Sequence, residues 1–439
     1  MNDALTLLRR GGVVGGGGAG FPTWKKLAAP AEILIINGAE CEPLLKSDQF
    51  LMLHNAKTLV KATEEFRKLI GAKTAIIGLK DHYTPQIKAL ETALSADSFQ
   101  VTLCPMPTVY PIGDEQAVVF ACTGRVVPPQ SLPGSVGCTV MSVSTTLNAW
   151  EALRGSPVVK RLVTVAGEVK YPGLYEVPIG TPLSQVLEAA GGLLLPDAAI
   201  MLGGPMMGSL VEDPASAVIT KTCGGVLVFP PSHKLIQRAR LSLPQVRNRA
   251  KSTCIQCRFC TDLCPRYLLG HPLYPHKVMR AFSMNKSEAC ALLCMECGIC
   301  ELYACPMGLS PRKVQMSLKP GLRSEGAQPD TQLYPQQQAQ RAGRQVPSAR
   351  LAAQLGITSY DMPLPNIVTP LSPRCVTIPL KQHIGAAATP VVSVGDRVQA
   401  GQSIGQMEEN ALGADIHASI TGKVISVGDA IIIEAEVLP

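Results

Sequence analysis

Eight cysteines fall into two runs whose spacing suits iron-sulfur chemistry. CIQCRFCTDLCP, residues 254–265, follows CxxCxxCxxxCP, and CMECGICELYACP, residues 294–306, follows CxxCxxCxxxxCP. A CxxCxxC loop lets three thiolates reach three irons of one cubane while backbone N–H groups point at the sulfurs; the remote cysteine before proline then ligates the other cubane. That rule assigns Cys254, Cys257, Cys260 and Cys305 to one [4Fe-4S] cluster, and Cys294, Cys297, Cys300 and Cys264 to the other. The second run is one residue longer than the rule, which bears on Cys305. Zinc ribbons are the plain alternative, but a tetrahedral ion needs two cysteines from each run, and each run supplies four. Cys290 reads as a buried structural thiol. Cys41, Cys104, Cys122, Cys138, Cys223 and Cys375 are scattered and read as small core residues.

A second candidate is GGVVGGGGAGFPTWKK, residues 11–26. Without Cβ atoms its backbone approaches a phosphate or a ring closely, and the N–H groups that follow bind the anion. Lys25 or Lys26 would neutralise that phosphate. No strand precedes the run, so it is not the Rossmann fingerprint, and a flexible tether is the alternative. The seven histidines form no HxxxH or HExxH pair. His271 and His276 read as turn caps, with contact to a cluster or a corrin as the alternative. Met201, Met206 and Met207 read as packing.

These residues need elements to position them. ILIIN (33–37) and TAIIGL (74–79) read as strands and Pro85–Leu94 as a helix, an alternation that predicts an α/β layer with a largely parallel sheet. From Pro157, RLVTVAGEV and YPGLYEV read as strands and TPLSQVLEAAGG as a capped helix, predicting a small β-grasp-like unit. GLRSEGAQPDTQLYPQQQAQRAGRQ is too poor in apolar residues to fold alone and reads as a linker. From Val376, short β segments with regular glycines predict a sandwich of two similar halves. Its central hairpin, MEENALGADIH (407–417), has no lysine, which excludes a swinging lipoyl or biotinyl arm and leaves a structural or docking module. Leu5, Leu7 and Leu8 in MNDALTLLRR have helical spacing, read as a first core helix, with an encapsulation peptide as the alternative.

The chain has 439 residues, too many for one core, with 46% apolar, 17% charged and only 4% aromatic residues. No apolar stretch is long enough for a membrane span and no secretory signal opens the chain, so a cytoplasmic protein is expected. Fifteen cysteines in a reducing compartment point to metal rather than to disulfides. The net charge of +7 is a weak pointer to nucleic acid, because thiolates around two oxidised cubanes lower it to about +3. No basic patch interleaved with aromatics points to nucleic acid.

GGGGAGFPTWKK with INGAECEP (36–43) and YPIGDEQAVV (110–119) resembles the flavin- and NADH-binding subunit of respiratory complex I, and more closely the C subunit of the Rnf complex. MLGGPMMG (201–208) and VTIPLKQHIGAAATPVVSVGDRVQAGQSIG are similar to Rnf segments too, although the sandwich lies at the N-terminus there. With that order and two cluster motifs, almost the whole chain resembles the cobalamin reductases of bacterial 1,2-propanediol utilisation. The resemblance implies a multidomain α/β plus α+β protein. Its parts are a Rossmann-like FMN/NADH domain (1–155), a soluble-ligand-binding β-grasp domain (156–230), a ferredoxin-like helical 2[4Fe-4S] domain (231–320), a linker (321–347) and a barrel-sandwich hybrid (348–439).

It implies FMN in the glycine loop, at Gly15, Gly17, Gly18, Ala19, Gly20 and Phe21, with Lys25, Lys26, Asn37 and Gly113 nearby. It implies NADH stacked on the flavin beside Glu40, Glu42 and Glu115, and flavin contacts from Ser142 and Thr145. Two departures stand out: Gly16 where the complex I loop has arginine, and Met141 and Ser142 where it has paired asparagines. The implied function is electron transfer from NADH through FMN and two clusters to cobalamin. The implied partners are an adenosyltransferase and microcompartment shell proteins, and the implied location is the cytoplasm, inside a microcompartment. An Rnf-type subunit and a non-catalytic electron carrier are the alternatives.

Overall fold

The structure, a computed structural model, describes residues 3–409 and 411–436. α1 (Asp3–Arg10) and α2 (Thr23–Leu27) flank the glycine run. β1 (Ile33–Asn37) leads through α3 (Ser47–His54) and α4 (Ala56–Leu69) to β2 (Thr74–Lys80), and α5 (Thr84–Leu94) leads to β3 (Val101–Met106). β4 (Val109–Tyr110) and α6 (Glu115–Thr123) precede β5 (Cys138–Ser142) and α7 (Val143–Ala152). The sheet order is β3-β2-β1-β5 and every pair is parallel. Leu34, Ile35 and Ile36 are all buried, because a parallel sheet covered on both faces has no wet side. β2 and β5 lie on opposite sides of β1. The crevice at the carboxyl ends of β1 and β5, where Asn37 pairs with Ser142, is therefore the topological switch point at which open α/β sheets bind ligands.

β6 (Lys160–Gly167), β7 (Gly173–Pro178), α8 (Leu183–Ala189), β8 (Ala199–Leu202), β9 (Ser209–Leu210) and β10 (Gly225–Phe229) build the expected strand-strand-helix unit. The helical region that follows holds α9 (Lys234–Ala239), α10 (Leu243–Thr253), α11 (Phe259–Asp262), α12 (Pro275–Ser283), α13 (Ile299–Leu302) and α14 (Pro311–Ser324). Ser242 and Gln245 form a capping box at the start of α10, and Val246, Val278, Phe282, Val314 and Leu322 pack as a core of their own.

The stretch read as a linker is not free chain. It begins as the last turn of α14 and ends in β11 (Val346–Pro347), which pairs antiparallel with β4. Between them the Tyr334 N–H donates to Gly270 O at 2.8 Å, and Gln337 is buried. The segment has no core of its own, as its composition dictates, and spreads over its neighbours instead. α15 (Ser348–Leu355) was expected with the sandwich. Its Leu351 and Leu355 instead join the cluster of Phe229, Leu235 and Cys297, while β12 (Val368–Pro370) adds to the β-grasp sheet beside β7.

The last unit has two antiparallel sheets built from β13 (Cys375–Pro379), β14 (Thr389–Pro390), β15 (Arg397–Val398), β16 (Ser403–Gln406), β17 (Ile416–His417), β18 (Gly422–Val427) and β19 (Ala430–Ala435). Its core is continuous with that of the flavin-type unit: Leu8, Trp24, Ile404, Met407 and Ile433 belong to one apolar cluster. α1 is thus a core helix through Leu8, although Leu7 is exposed. Met1, Asn2 and the hairpin residue Asn410 lie outside the described residues. The lysine-free hairpin docks on the first unit: Trp24 Nε1 donates to Gly413 O and Arg9 Nη2 to Met407 O, both at 2.7 Å. Lys221 Nζ donates to Gly12 O and to Asp415 O, each at 2.8 Å, joining three units at one buried amine.

Candidate functional site

The glycine loop lies over the switch point. The Gly15 N–H donates to Phe21 O at 2.9 Å, closing the loop, and the Gly16 N–H donates to Thr145 Oγ1 at 2.9 Å. Ser142 caps α7, accepting from the Thr145 N–H, and its Oγ lies 2.7 Å from Thr145 Oγ1. The two side chains expected as flavin contacts therefore hold the loop on the helix. Added Cβ atoms at Gly17 and Gly18 would meet nothing within 4 Å, so the middle of the loop faces an open cradle. Ala19 O accepts from the Ile384 N–H at 2.8 Å, and a Cβ at Gly20 would lie 2.8 Å from Thr222 Cγ2. The sandwich and the β-grasp unit therefore cover the far end of the loop.

The cation that reaches the loop is neither of the expected lysines. Lys25 is exposed with Nζ 5.7 Å from the Trp24 ring centre, and Lys26 Nζ pairs with Glu115 at 2.6 Å and donates to Val140 O at 2.9 Å. Arg161, buried on β6, instead donates to Gly16 O, and Nε donates to Cys223 O at 3.2 Å. A Cβ at Gly16 would lie 2.6 Å from Arg161 Nη1 and 2.7 Å from Ser144 Oγ. A side chain at this departure would therefore have to displace the guanidinium and the Ser144 hydroxyl. Asp48, which accepts from the Ser144 N–H at 3.3 Å, is the acidic group that acts most strongly on Arg161.

Acidic groups gather beyond the end of β1. Asn37 Nδ2 donates to Gly113 O at 2.8 Å and its Oδ1 accepts from the Ala39 N–H. The Gly113 N–H donates to Cys41 Sγ at 2.7 Å, and a Cβ on Gly113 would overlap the Ala39 carbonyl. Cys41 packs among apolar neighbours as expected, but it also shapes this turn, and burial pushes its thiol up to about 12. Burial raises the Glu40 carboxyl to about 8, with Asp48 and Glu42 adding repulsion. Burial likewise raises Glu42 to about 7, although its Oε2 accepts from the Met206 N–H at 2.8 Å; its Oε1 is buried without a partner. An open glycine cradle with a buried guanidinium fits an anionic flavin phosphate, and the adjoining carboxyls fit polar groups of a second ligand.

The cysteine runs have matching backbones. Gln256 and Arg258 in the first, and Glu296 and Gly298 in the second, take positive φ at equivalent positions, wrapping each loop before α11 and α13. The Glu296 N–H points at Cys294 Sγ and the Leu309 N–H at Cys305 Sγ, both at 3.3 Å. Burial, then the nearby Cys305, Cys257 and Cys254, raise Cys260 to about 12. Cys264 is raised to about 12 by burial, with Cys294 beside it, and Cys297 and Cys300 both feel Cys264 and Cys294. Each remote cysteine thus stands with the first three of the other run. Four thiols brought together in this way would be held as thiolates by a cationic core, and the spacing of the runs suits four irons. Among the described residues no three or more His, Cys, Asp or Glu side chains converge on a single-ion site.

The second cysteine set abuts the flavin-type unit. Tyr110 Oη donates to Cys297 O at 2.6 Å, and Arg266, two residues after Cys264, forms a bidentate pair with Asp114 at 2.6 and 2.9 Å. Asp114 also caps α6, accepting from the Ala117 N–H. His271 is buried, pushed down to about 4 chiefly by burial, so its neutral ring donates through Nε2 to Val127 O at 2.9 Å, and His276 Nδ1 meets Thr261 Oγ1 at 2.7 Å. Met201 and Met206 are packed, whereas Met207 is exposed. Sequence reasoning missed Arg161, Asp48, Tyr110, Asp114 and Arg266. Only Tyr110 and Asp114 had a signal, inside the motif YPIGDEQ.

Four family descriptions match the chain: the Nuo51 FMN-binding domain over residues 8–151, the SLBB domain over 162–209, a 4Fe-4S dicluster domain over 253–310 and the RnfC barrel sandwich hybrid domain over 363–438. The chain is 43% identical to the cobalamin reductase PduS of Salmonella typhimurium, over 96% of this chain and 94% of that one. It is 42% identical to the PduS of Citrobacter freundii, over 97% and 95%. The C subunit of the Na(+)-translocating ferredoxin:NAD(+) oxidoreductase complex of Acetobacterium woodii is 34% identical over 61% of this chain and 58% of that one.

Proposed function

Because the chain belongs to the PduS cobalamin reductase family, we propose that its glycine cradle and two cysteine sets form one route from NADH to cobalamin. The protein is an oxidoreductase that passes electrons from NADH through FMN and two [4Fe-4S] clusters to the cobalt of cobalamin, toward cob(I)alamin. FMN supplies acceptance of a hydride's two electrons and their release one at a time, and the clusters take single electrons.

The residues divide the work. Gly17 and Gly18 leave room for the flavin, Thr145 and Ser142 fix their loop, and Arg161 offers charge to the phosphate. Glu40, Glu42 and Glu115 line the side on which NADH would stack. Cys254, Cys257, Cys260 and Cys305 would hold one cluster, and Cys264, Cys294, Cys297 and Cys300 the other. The observation that carries the reading is the Tyr110–Cys297 hydrogen bond, which joins the flavin-type unit to the cysteine loop. Among the described residues no helix is long and apolar enough to cross a membrane. The family relation supports delivery of the reduced corrinoid to an adenosyltransferase and a place among shell proteins in a cytoplasmic microcompartment.

The test is anaerobic mixing of the iron- and flavin-loaded chain with NADH and hydroxocobalamin. Bleaching of flavin and then cobalt absorbance supports the reductase. Flavin bleaching alone favours an Rnf-type role, and no bleaching favours a carrier.

A further inference from the structure

The two cysteine sets differ in exposure and in neighbours. Cys264, Cys297 and Cys300 are each 7% exposed, and this is the set tied to the flavin-type unit through Tyr110 and Arg266. Cys254, Cys257, Cys260 and Cys305 instead line the cavity that would hold their cluster, and Ile255, Arg258, His276 and Met307 belong to the same wall. Phe259 follows Arg258 in the chain and opens α11. Ile255 is 64% exposed, Phe259 52% and Met307 38%. Hydrophobic side chains displayed in a group mark a binding surface.

The rim of this cavity is basic. Arg258 stands in the cysteine loop, with Lys277 beside it acting on the same His276. Arg249 reaches the opposite edge, where its Nη2 would lie 3.5 Å from a Cβ on Gly308, next to Met307. Asp262 also stands at this rim, 3.8 Å from Arg258 Nη2, but its nearer partner is Arg344 at 3.2 Å, so the cations outnumber it. Exposed apolar side chains beside a cluster, with a cationic border, match a molecule with a broad apolar face and one anionic group. Cobalamin has both, in its corrin ring and its phosphodiester.

We propose that cobalamin docks on Ile255, Phe259 and Met307, its phosphodiester toward Arg258 and Lys277, and receives electrons from the first cysteine set, the second set being the one fed from the flavin. This rests on the cobalamin reductase reading. Each transfer moves one electron: the cluster is oxidised, cobalt goes from Co(III) to Co(II) with loss of its axial water, and a second electron takes Co(II) to Co(I). The second step also frees the lower axial base, and NADH, the reductant of both, ends as NAD+ with its proton released to water.

The test is equilibrium dialysis of the loaded full chain against hydroxocobalamin, and against cobinamide, which lacks the phosphodiester. Ile255→Glu and Phe259→Glu are expected to weaken hydroxocobalamin binding by about ten-fold or more, roughly 1.4 kcal/mol, with iron and flavin content unchanged. Lys277→Glu should weaken hydroxocobalamin but not cobinamide, and Leu132→Glu, at a leucine 69% exposed elsewhere, should change neither. Unchanged dissociation constants in both apolar variants overturn the proposal. So does a wild-type chain that binds no free corrinoid and reduces it only when an acidic protein presents it. If wild type cannot reduce hydroxocobalamin with NADH at all, it is the reductase reading that fails.

Discussion

Tyr110 Oη donates a buried 2.6 Å hydrogen bond to the backbone carbonyl of Cys297. Burial raises the phenol well above its ordinary range, so it stays a donor throughout neutral pH. Tyr110→Phe leaves that carbonyl dry and unpartnered, at about 1–3 kcal/mol. We expect a lower urea midpoint, flavin bleaching by NADH at the wild-type rate, and slower appearance of the reduced-cluster signal in freeze-quench EPR. Equal cluster rates would remove Tyr110 from the route.

Asp114 and Arg266 are nearly buried, at 11% and 9% side-chain exposure, and the Arg341 guanidinium also faces Asp114. Asp114→Asn strands a buried cation and should cost about 3–5 kcal/mol. Asp114→Asn with Arg266→Leu should recover part of that loss in urea titrations. A double variant no better than the single one contradicts this account.

Gly113→Ala drives a methyl into the Ala39 carbonyl and shifts the turn that Asn37 holds. Flavin per chain, read from absorbance after anaerobic loading, should fall about ten-fold while iron content stays near wild type.

Crossed ligation makes a spectroscopic prediction. Cys305→Ser should perturb the same EPR signal as Cys254→Ser, and Cys264→Ser the same signal as Cys297→Ser. Pairing within each run would give the opposite grouping.

Glu40 and Glu42 are held at about 8 and about 7, above the ordinary 4.5, chiefly by burial. Between the ordinary and the raised values the native state holds more protons than the unfolded chain. Stability is therefore full in mild acid and declines as pH rises through this window. Melting temperatures recorded from about pH 5.5 to about pH 8.5 should fall, and Glu40→Gln should flatten the decline.

The cysteine runs were legible because ligand spacing is local, and ILIIN because a strand buried on both faces is an unbroken apolar run. Arg161 was not. It sits in RLVTVAGEV as an ordinary polar residue near a strand end, and only the packing of β6 beneath the glycine loop makes it the loop's cation. The same holds for residues 321–347, whose poverty in apolar groups showed that they lack a core but not that Gly270 and Tyr110 would receive them. The lysines of TWKK pointed the other way: proximity in sequence suggested a phosphate, and Glu115 claimed Lys26 across the fold.

The sandwich follows the helical region in the chain, yet it is seated on Arg9, Gly12 and Trp24 of the first unit and on Ile179 and Lys221 of the β-grasp unit. A module seated against the opening helix has its place in space set by that seam rather than by its place in the chain. The last unit of the chain thus helps enclose the loop near its beginning, which makes the glycine cradle a joint product of both ends of the sequence.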